Sequence, residues 1–199
     1  MKQLRLLIGA VLLALPFILY AQAEDLKQRE KLLIEEKSEE YDLKEINIKE
    51  PDYGVLIDTE HIYHRHFMLK GKKKVENSLG NKVKPKIHVS TFAYEDEEEF
   101  MYALKFWFKE FIGGERVTPG RDYRKKDHVS PTIIVMDNNT ITIVTFSCYT
   151  TEIEDLRKWR KDLLTIFGSP KAMIVEIGCG GPLEWTKNAP DPKDPKWRR

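Results

Sequence analysis

Residues 86–177 switch between two hydrophobic periods, and this succession constrains the fold more than any other feature of the chain. Alternating apolar residues predict a strand over residues 87–92, and further β-rich runs cover residues 132–136, 140–146 and 172–177. Two stretches with the period of an amphipathic helix lie between them, in the order strand, helix, strand, strand, helix, strand. We therefore expect an α+β domain.

Start and stop signals bound the two predicted helices. Asp96 is placed to cap the first helix, and Gly113 follows its last apolar position. Thr151 is placed to cap the second helix, and Gly168 ends it. The turn between the second and third strands contains Asn138, a residue type that tolerates positive φ. The predicted buried face of the first helix consists of Phe100, Leu104, Trp107, Phe108 and Phe111.

This β-α-β-β-α-β order resembles the ferredoxin-like sandwich, which is a fold and not a single family. The resemblance implies a four-stranded antiparallel sheet with two helices on one face, over residues 86–185, and an N-terminal extension before it. The fold is used by enzymes, metal carriers, RNA binders and scaffolds, so it implies no particular function.

Charge and composition divide the rest of the chain. Residues 24–52 form a charged segment with 11 acids and 6 bases, in which a weak apolar stripe predicts a short helix; we interpret this segment as a solvated spacer. Residues 53–85 are a strand-containing extension that includes a lysine-rich loop. Residues 186–199 combine prolines with alternating charges, which predicts a disordered tail.

Residues 1–23 have the features of a secretory signal peptide. Lys2 and Arg5 precede an apolar run over residues 6–20, and Ala21-Gln22-Ala23 provides a small-x-small cleavage site. The apolar run is shorter than the ~20 residues that span a bilayer. We therefore expect an exported protein, periplasmic or extracellular, whose mature chain starts at Glu24 and has no stable membrane span.

Export would place Cys148 and Cys179 in an oxidising compartment, where two cysteines usually form a disulfide. The predicted topology argues against this pairing. Each cysteine follows the end of its strand, and we expect these two strands to flank the first strand and to run in opposite directions. The sulfurs would then lie ~20 Å apart, whereas a disulfide requires a Cα separation of ~4.4–6.8 Å. The sequence therefore predicts no intramolecular disulfide.

The charge balance excludes a generally basic nucleic-acid binder. The chain has 33 Lys and Arg against 32 Asp and Glu, and removal of residues 1–23 leaves a net charge of −1. Residues 70–86 nevertheless have a net charge of +6, without interleaved aromatic residues that could stack on bases. We interpret this segment as a solvated loop or as a patch for an anionic envelope polymer, through Lys70, Lys72, Lys73 and Lys74.

The histidines are the best candidates for chemistry. In a strand, His64 and His66 project from one face and could share a metal, zinc or another divalent ion, with His61 as a further candidate. A zinc site needs more ligands, for which His88 and His128 are available. The alternative is that these histidines belong to a solvated strand face.

Three functional hypotheses follow, and none of them assigns catalytic residues, because the chain lacks a nucleophile elbow and a phosphate-binding fingerprint. The first is an exported, non-enzymatic protein that binds an envelope protein or another ligand and needs no cofactor. The second is a metal carrier or metal-dependent enzyme that uses the histidines. The third is a structural accessory whose acidic segment is a spacer.

Overall fold

The structure is a computed structural model that describes residues 21–46, 56, 59–111, 130–191 and 193. Within these residues, three helices cover both faces of a seven-stranded sheet, and two short strands form a separate hairpin. The elements are α1 (residues 21–36), β1 (Tyr41–Glu45), β2 (Tyr63–Gly71), β3 (Val75–Glu76), β4 (Lys82–Val83), β5 (Lys86–Ala93), α2 (Glu97–Phe111), β6 (Thr132–Asp137), β7 (Thr140–Thr145), α3 (Ile153–Phe167), β8 (Met173–Ile177) and β9 (Leu183–Lys187).

The predicted local elements from β5 to β8 are present. The backbone N–H of Glu99 donates to the Asp96 side chain at 2.9 Å, which confirms the predicted cap of α2. Asn138 has a φ of 46° and Asn139 a φ of 60°, as the tight turn between β6 and β7 requires. The cap of α3 lies one residue later than predicted, at Glu152.

The ferredoxin-like fold is wrong, because the strand order differs. The seven-stranded sheet has the order β1-β2-β5-β7-β6-β8-β9, and all its pairs are antiparallel. The predicted order would place β8 beside β5. In the structure β2 occupies that edge of β5 over eight residue pairs, and β8 instead pairs with β6. The extension that precedes the predicted domain is therefore part of its sheet.

The two predicted helices also lie on opposite faces of the sheet, not on one. Helix α2 packs on one face, here called the α2 face, against residues such as Phe92 and Ile143. Helices α1 and α3 pack on the other face through Leu33 and Trp159. Both faces of the central strands are covered, so every residue of β6 is buried.

Residues 24–45 are not a solvated spacer. Leu26 and Leu33 of α1 are buried in the core, and β1 pairs with β2 along its whole length. Glu30 is fully buried and accepts hydrogen bonds from Tyr63 and Arg65, both at 2.9 Å, and from Thr91. These contacts exist because α1 lies against the sheet, where Leu26 and Leu33 are buried and the Glu30 carboxylate is hydrogen-bonded.

Cys148 and Cys179 form a disulfide with a Cα separation of 5.4 Å, so the prediction of no intramolecular bond is wrong. Strands β7 and β8 are both antiparallel to β6 and therefore run in the same direction. Thr132 at the start of β6 pairs with Thr145 on one side and with Ile177 on the other. Both cysteines consequently follow strand ends at the same edge. Two strands that flank a common antiparallel neighbour always run in the same direction, so the expectation of opposite directions was wrong.

Candidate functional site

The polar side chains of β2 and β5 form a continuous strip on the α2 face. Phe67 and Leu69 of β2 are buried on the opposite face, so the alternating residues His64, His66 and Met68 point to the α2 face, as the strand period predicts. The strip ends at Lys70, which pairs with Lys86 of β5.

Two of the predicted metal ligands have other partners. The ring of His64 stacks on Phe92, with 4.4 Å between ring centroids and an interplanar angle of 10°. His61 donates from Nδ1 to the carbonyl oxygen of Thr59 at 2.8 Å. The His61 and His64 ring centroids are 5.6 Å apart. A metal role for His61, His64 and His66 together stays a prediction.

His66 instead approaches His88, which lies on the neighbouring strand. The distance from His66 Nε2 to His88 Nδ1 is 3.5 Å, and His66 Nδ1 lies 2.5 Å from Ser90 Oγ. His88 was one of the further ligands that the sequence suggested, whereas His128 lies outside the described residues. The described residues contain no group of three or more His, Cys, Asp or Glu that could hold a metal ion.

The pKa of each of the three histidines of the strip is lowered, which favours the neutral imidazole at pH 7. Burial is the main cause that lowers the pKa of His66 to about 4, and repulsion from His88 and His64 adds to it. Burial also lowers the pKa of His64, with a smaller contribution from His61. Burial and then Lys86 lower the pKa of His88. Neutral imidazoles can accept hydrogen bonds or ligate a metal.

A depression of about 510 Å³, here called the lysine pocket, lies at the Lys70–Lys86 end of the strip. None of the described residues that line it is acidic. Three lysines and three residues that carry hydroxyl groups line this space, and the net positive charge favours an anion. The lining residues are Lys70, Asn77, Val83, Lys84, Lys86, Ser147, Tyr149 and Thr150.

Three parts of the fold position the lysine pocket. Lys70 and Lys86 stand on the paired strands β2 and β5, and Lys84 follows the β3–β4 hairpin. The loop after β7 supplies the hydroxyl groups. The disulfide at Cys148 ties this loop to the end of β8, and the backbone N–H of Ser78 donates to the Tyr149 carbonyl at 3.2 Å.

The predicted patch of Lys70, Lys72, Lys73 and Lys74 enters this site only through Lys70. Lys72 donates instead to the carbonyl oxygen of Ser38. The anionic-partner role of the four lysines stays a prediction. The charge of residues 70–86 is evident from the sequence. The hydroxyl groups of Ser147 and Tyr149 were not predicted, because these residues are distant in sequence from the lysines and carry no local signal.

A second depression of about 380 Å³ lies under α3 near the disulfide. Its charges balance, since two arginines and two glutamates line it, Arg157, Arg160, Glu176 and Glu184. Arg160 also forms an ion pair with Glu176, with 2.9 Å between Nε and Oε1. Opposite charges that satisfy each other give this space less selectivity for a charged ligand than the lysine pocket has.

No protein-family model, curated protein or solved structure matches this chain. Among the described residues, no helix is long and apolar enough to cross a bilayer. This finding and the disulfide are compatible with an exported protein.

Proposed function

We propose that this protein is exported to the periplasm or the extracellular space and binds an anionic group of an envelope component in the lysine pocket. The observation that carries the proposal is the direct pairing of Lys70 with Lys86 at the rim of a depression lined by a third lysine. Like charges on directly opposed residues destabilise a sheet. A bound anion would relieve this repulsion, and the binding would therefore be favoured.

The residues around the lysine pocket also favour an anionic ligand. Within the described residues, no carboxylate lies within ion-pair distance of Lys70, Lys84 or Lys86. Ser147 and Tyr149 add hydroxyl groups that can donate to phosphate or carboxylate oxygens. The shared chemistry is an anionic oxygen cluster, which an envelope polymer would present as phosphate or as carboxylate groups.

Binding of model polymers tests the proposal. We would titrate the protein at about 0.15 M salt, where exposed charges are screened, with polyphosphate and, separately, with poly-L-glutamate, and measure the heat of binding. The pocket variant carries Lys70→Gln, Lys84→Gln and Lys86→Gln. Loss of one charge-assisted contact weakens binding by about tenfold, so the triple variant should show at least that loss. The preferred polymer identifies phosphate or carboxylate as the ligand group.

A matched variant controls for general charge. Lys73→Gln, Lys74→Gln and Lys82→Gln remove three charges from exposed positions of the same segment that do not line the lysine pocket. This variant should retain affinity within about threefold, because its three lysines do not line the lysine pocket and act on a ligand there only through screened solvent. Equal losses in the two variants, or no binding of either polymer, would overturn the proposal.

Export is tested separately by the mass of the protein from its native host. The expected mature chain starts at Glu24 and is recovered from the periplasmic or extracellular fraction. A chain that retains residues 1–23 in the cytoplasmic fraction would overturn this part of the proposal.

A further inference from the structure

The facing ring nitrogens of His66 and His88 are separated by the distance expected between two ligands of one metal ion. The nitrogen atoms that face each other are 3.5 Å apart. Two imidazole nitrogens at ~2.0 Å from a metal, at an angle between tetrahedral and trigonal, are separated by about 3.3 to 3.5 Å. The two rings could therefore bind one ion with almost no movement of the paired strands β2 and β5.

Ser90 prepares His66 for this role. Its hydroxyl oxygen lies 2.5 Å from His66 Nδ1, and the Ser90 side chain is buried, with 1% of the residue exposed. A proton on Nδ1 that is donated to Ser90 leaves the lone pair of Nε2 directed to His88. Ligating histidines commonly have their other ring nitrogen held in this way. On metal binding, the proton of His88 would reside on Nε2, and Nδ1 would be free to ligate.

Met68 provides a third donor of a particular kind. It lies on the same face as His66, two residues further along β2, and pairs directly with His88 in the sheet register. A thioether with two imidazoles favours a soft ion such as Cu(I). The described residues offer no cluster of harder ligands such as zinc requires. Lys86, two residues from His88, would also repel a divalent ion more strongly than a monovalent one.

We propose that His66, Met68 and His88 form a binding site for Cu(I). The site is separate from the lysine pocket and does not depend on the function proposed for it. Imidazole nitrogens at 3.5 Å and a methionine in register with one of them are the observations on which it stands.

Anaerobic titration tests the site. The Cu(I) complex of a chromogenic chelator is titrated with protein, and transfer of the ion is followed by the loss of colour. We expect one Cu(I) per chain, with an affinity reduced at least tenfold in His66→Asn and in His88→Asn, and measurably in Met68→Leu. His64→Asn is the matched control, because His64 lies on the same strand face but stacks on Phe92, and it should leave the affinity unchanged.

A second measurement detects the binding of Cu(I) directly on the wild-type chain. With ¹³C-methyl methionine, Cu(I) should shift the methyl resonance of one methionine, which Met68→Leu assigns. A shift of the Met68 resonance with loss of affinity in the two histidine variants supports the site. Failure to bind Cu(I), equal affinity in wild type and the His66 and His88 variants, or an unmoved Met68 resonance would overturn it.

Discussion

The carboxylate of Glu30 on α1 accepts a hydrogen bond from Arg65 on β2, with 2.9 Å between Oε2 and Nη1. Glu30 is fully buried and also accepts from Thr91 of β5, so one side chain links α1 to two strands. Arg65 in turn contacts the exposed Glu45 of β1. This network makes α1 a part of the folded domain and gives the first prediction.

Replacement of Glu30 with Ala should destabilise the protein by about 3 kcal/mol, because it removes the buried carboxylate that accepts from Tyr63, Arg65 and Thr91. Arg65 would keep Glu45, and Thr91 would keep only a 3.5 Å contact with the Arg65 carbonyl oxygen. Urea unfolding followed by circular dichroism measures the change. Glu35→Ala on the same helix is the control. Glu35 pairs with Lys31 at 3.7 Å in an exposed position, so its loss should cost less than about 0.5 kcal/mol. Similar losses for both variants would contradict the network.

Leu33 and Leu32 are adjacent on α1, but Leu33 is fully buried and Leu32 is 54% exposed. Leu33→Ala should cost about 3 kcal/mol through the lost apolar contacts and the cavity that it leaves. Leu32→Ala should change the free energy of unfolding by less than about 0.5 kcal/mol. Equal effects in urea unfolding would mean that α1 does not pack as described.

The disulfide should contribute substantially to stability because it closes a long loop. Cys148 and Cys179 are 31 residues apart, and loss of a cross-link of this span costs about 3 to 4 kcal/mol. Cys148→Ser with Cys179→Ser should therefore lower the urea midpoint, and reduction of the wild-type chain should lower it equally. Non-reducing peptide mapping should recover a Cys148–Cys179 peptide. Absence of that peptide would refute the pairing.

Stability should fall as the pH is lowered from about 6.5 toward 4. In this range His66 is protonated in the unfolded chain, at its ordinary pKa of 6.5, but stays neutral in the folded chain, where its pKa is about 4. The unfolded state then binds more protons, and acid favours it. His64 and His88 act in the same direction, because burial lowers the pKa of each.

The contribution of His66 should be about 1 to 2 kcal/mol, since its half-exposed position reduces the effect by solvent screening. Unfolding in metal-free buffer at pH 7 and at pH 4.5 measures it, with His66→Asn beside the wild type. The variant should lose less stability on acidification. Identical pH dependence in the two proteins would show that the His66 ring is protonated with equal ease in both states.

Local periodicity predicted most elements of the second half of the chain, because the apolar positions of a helix or strand follow its own geometry. Phe100, Leu104, Trp107 and Phe108 are buried on α2 as expected. Strand order depends on which strands pair with each other. Composition alone does not decide whether β2 or β8 pairs with β5. One feature of the sequence did indicate a sheet covered on both faces, however. The continuous apolar run from Ile133 to Met136 is typical of a strand buried on both faces, which two helices on one face cannot explain.

The candidate site was predictable only in part, because it also depends on which strands pair. The spacing of His64 and His66 placed them on one face of a strand, whereas the partner of His66 lies 22 residues away and is brought near by the β2–β5 pairing. Lys84 and Lys86 belong to a segment whose charge was evident. Tyr149 reaches the same depression from the loop after β7, and only the three-dimensional structure brings it there.

The position of α1 has a consequence for the timing of the cleavage that we propose after Ala23. Residues 21–23, which carry the predicted cleavage site, are helical, and Gln22 donates to the Asn138 carbonyl at 2.7 Å. A peptidase cuts chain that has locally opened, so docking of α1 on the sheet would shield this bond. Leu26, Glu30 and Leu33 all follow the bond and would stay in place after a cut. Processing and folding would therefore compete kinetically, and a chain that folded first would keep its leader.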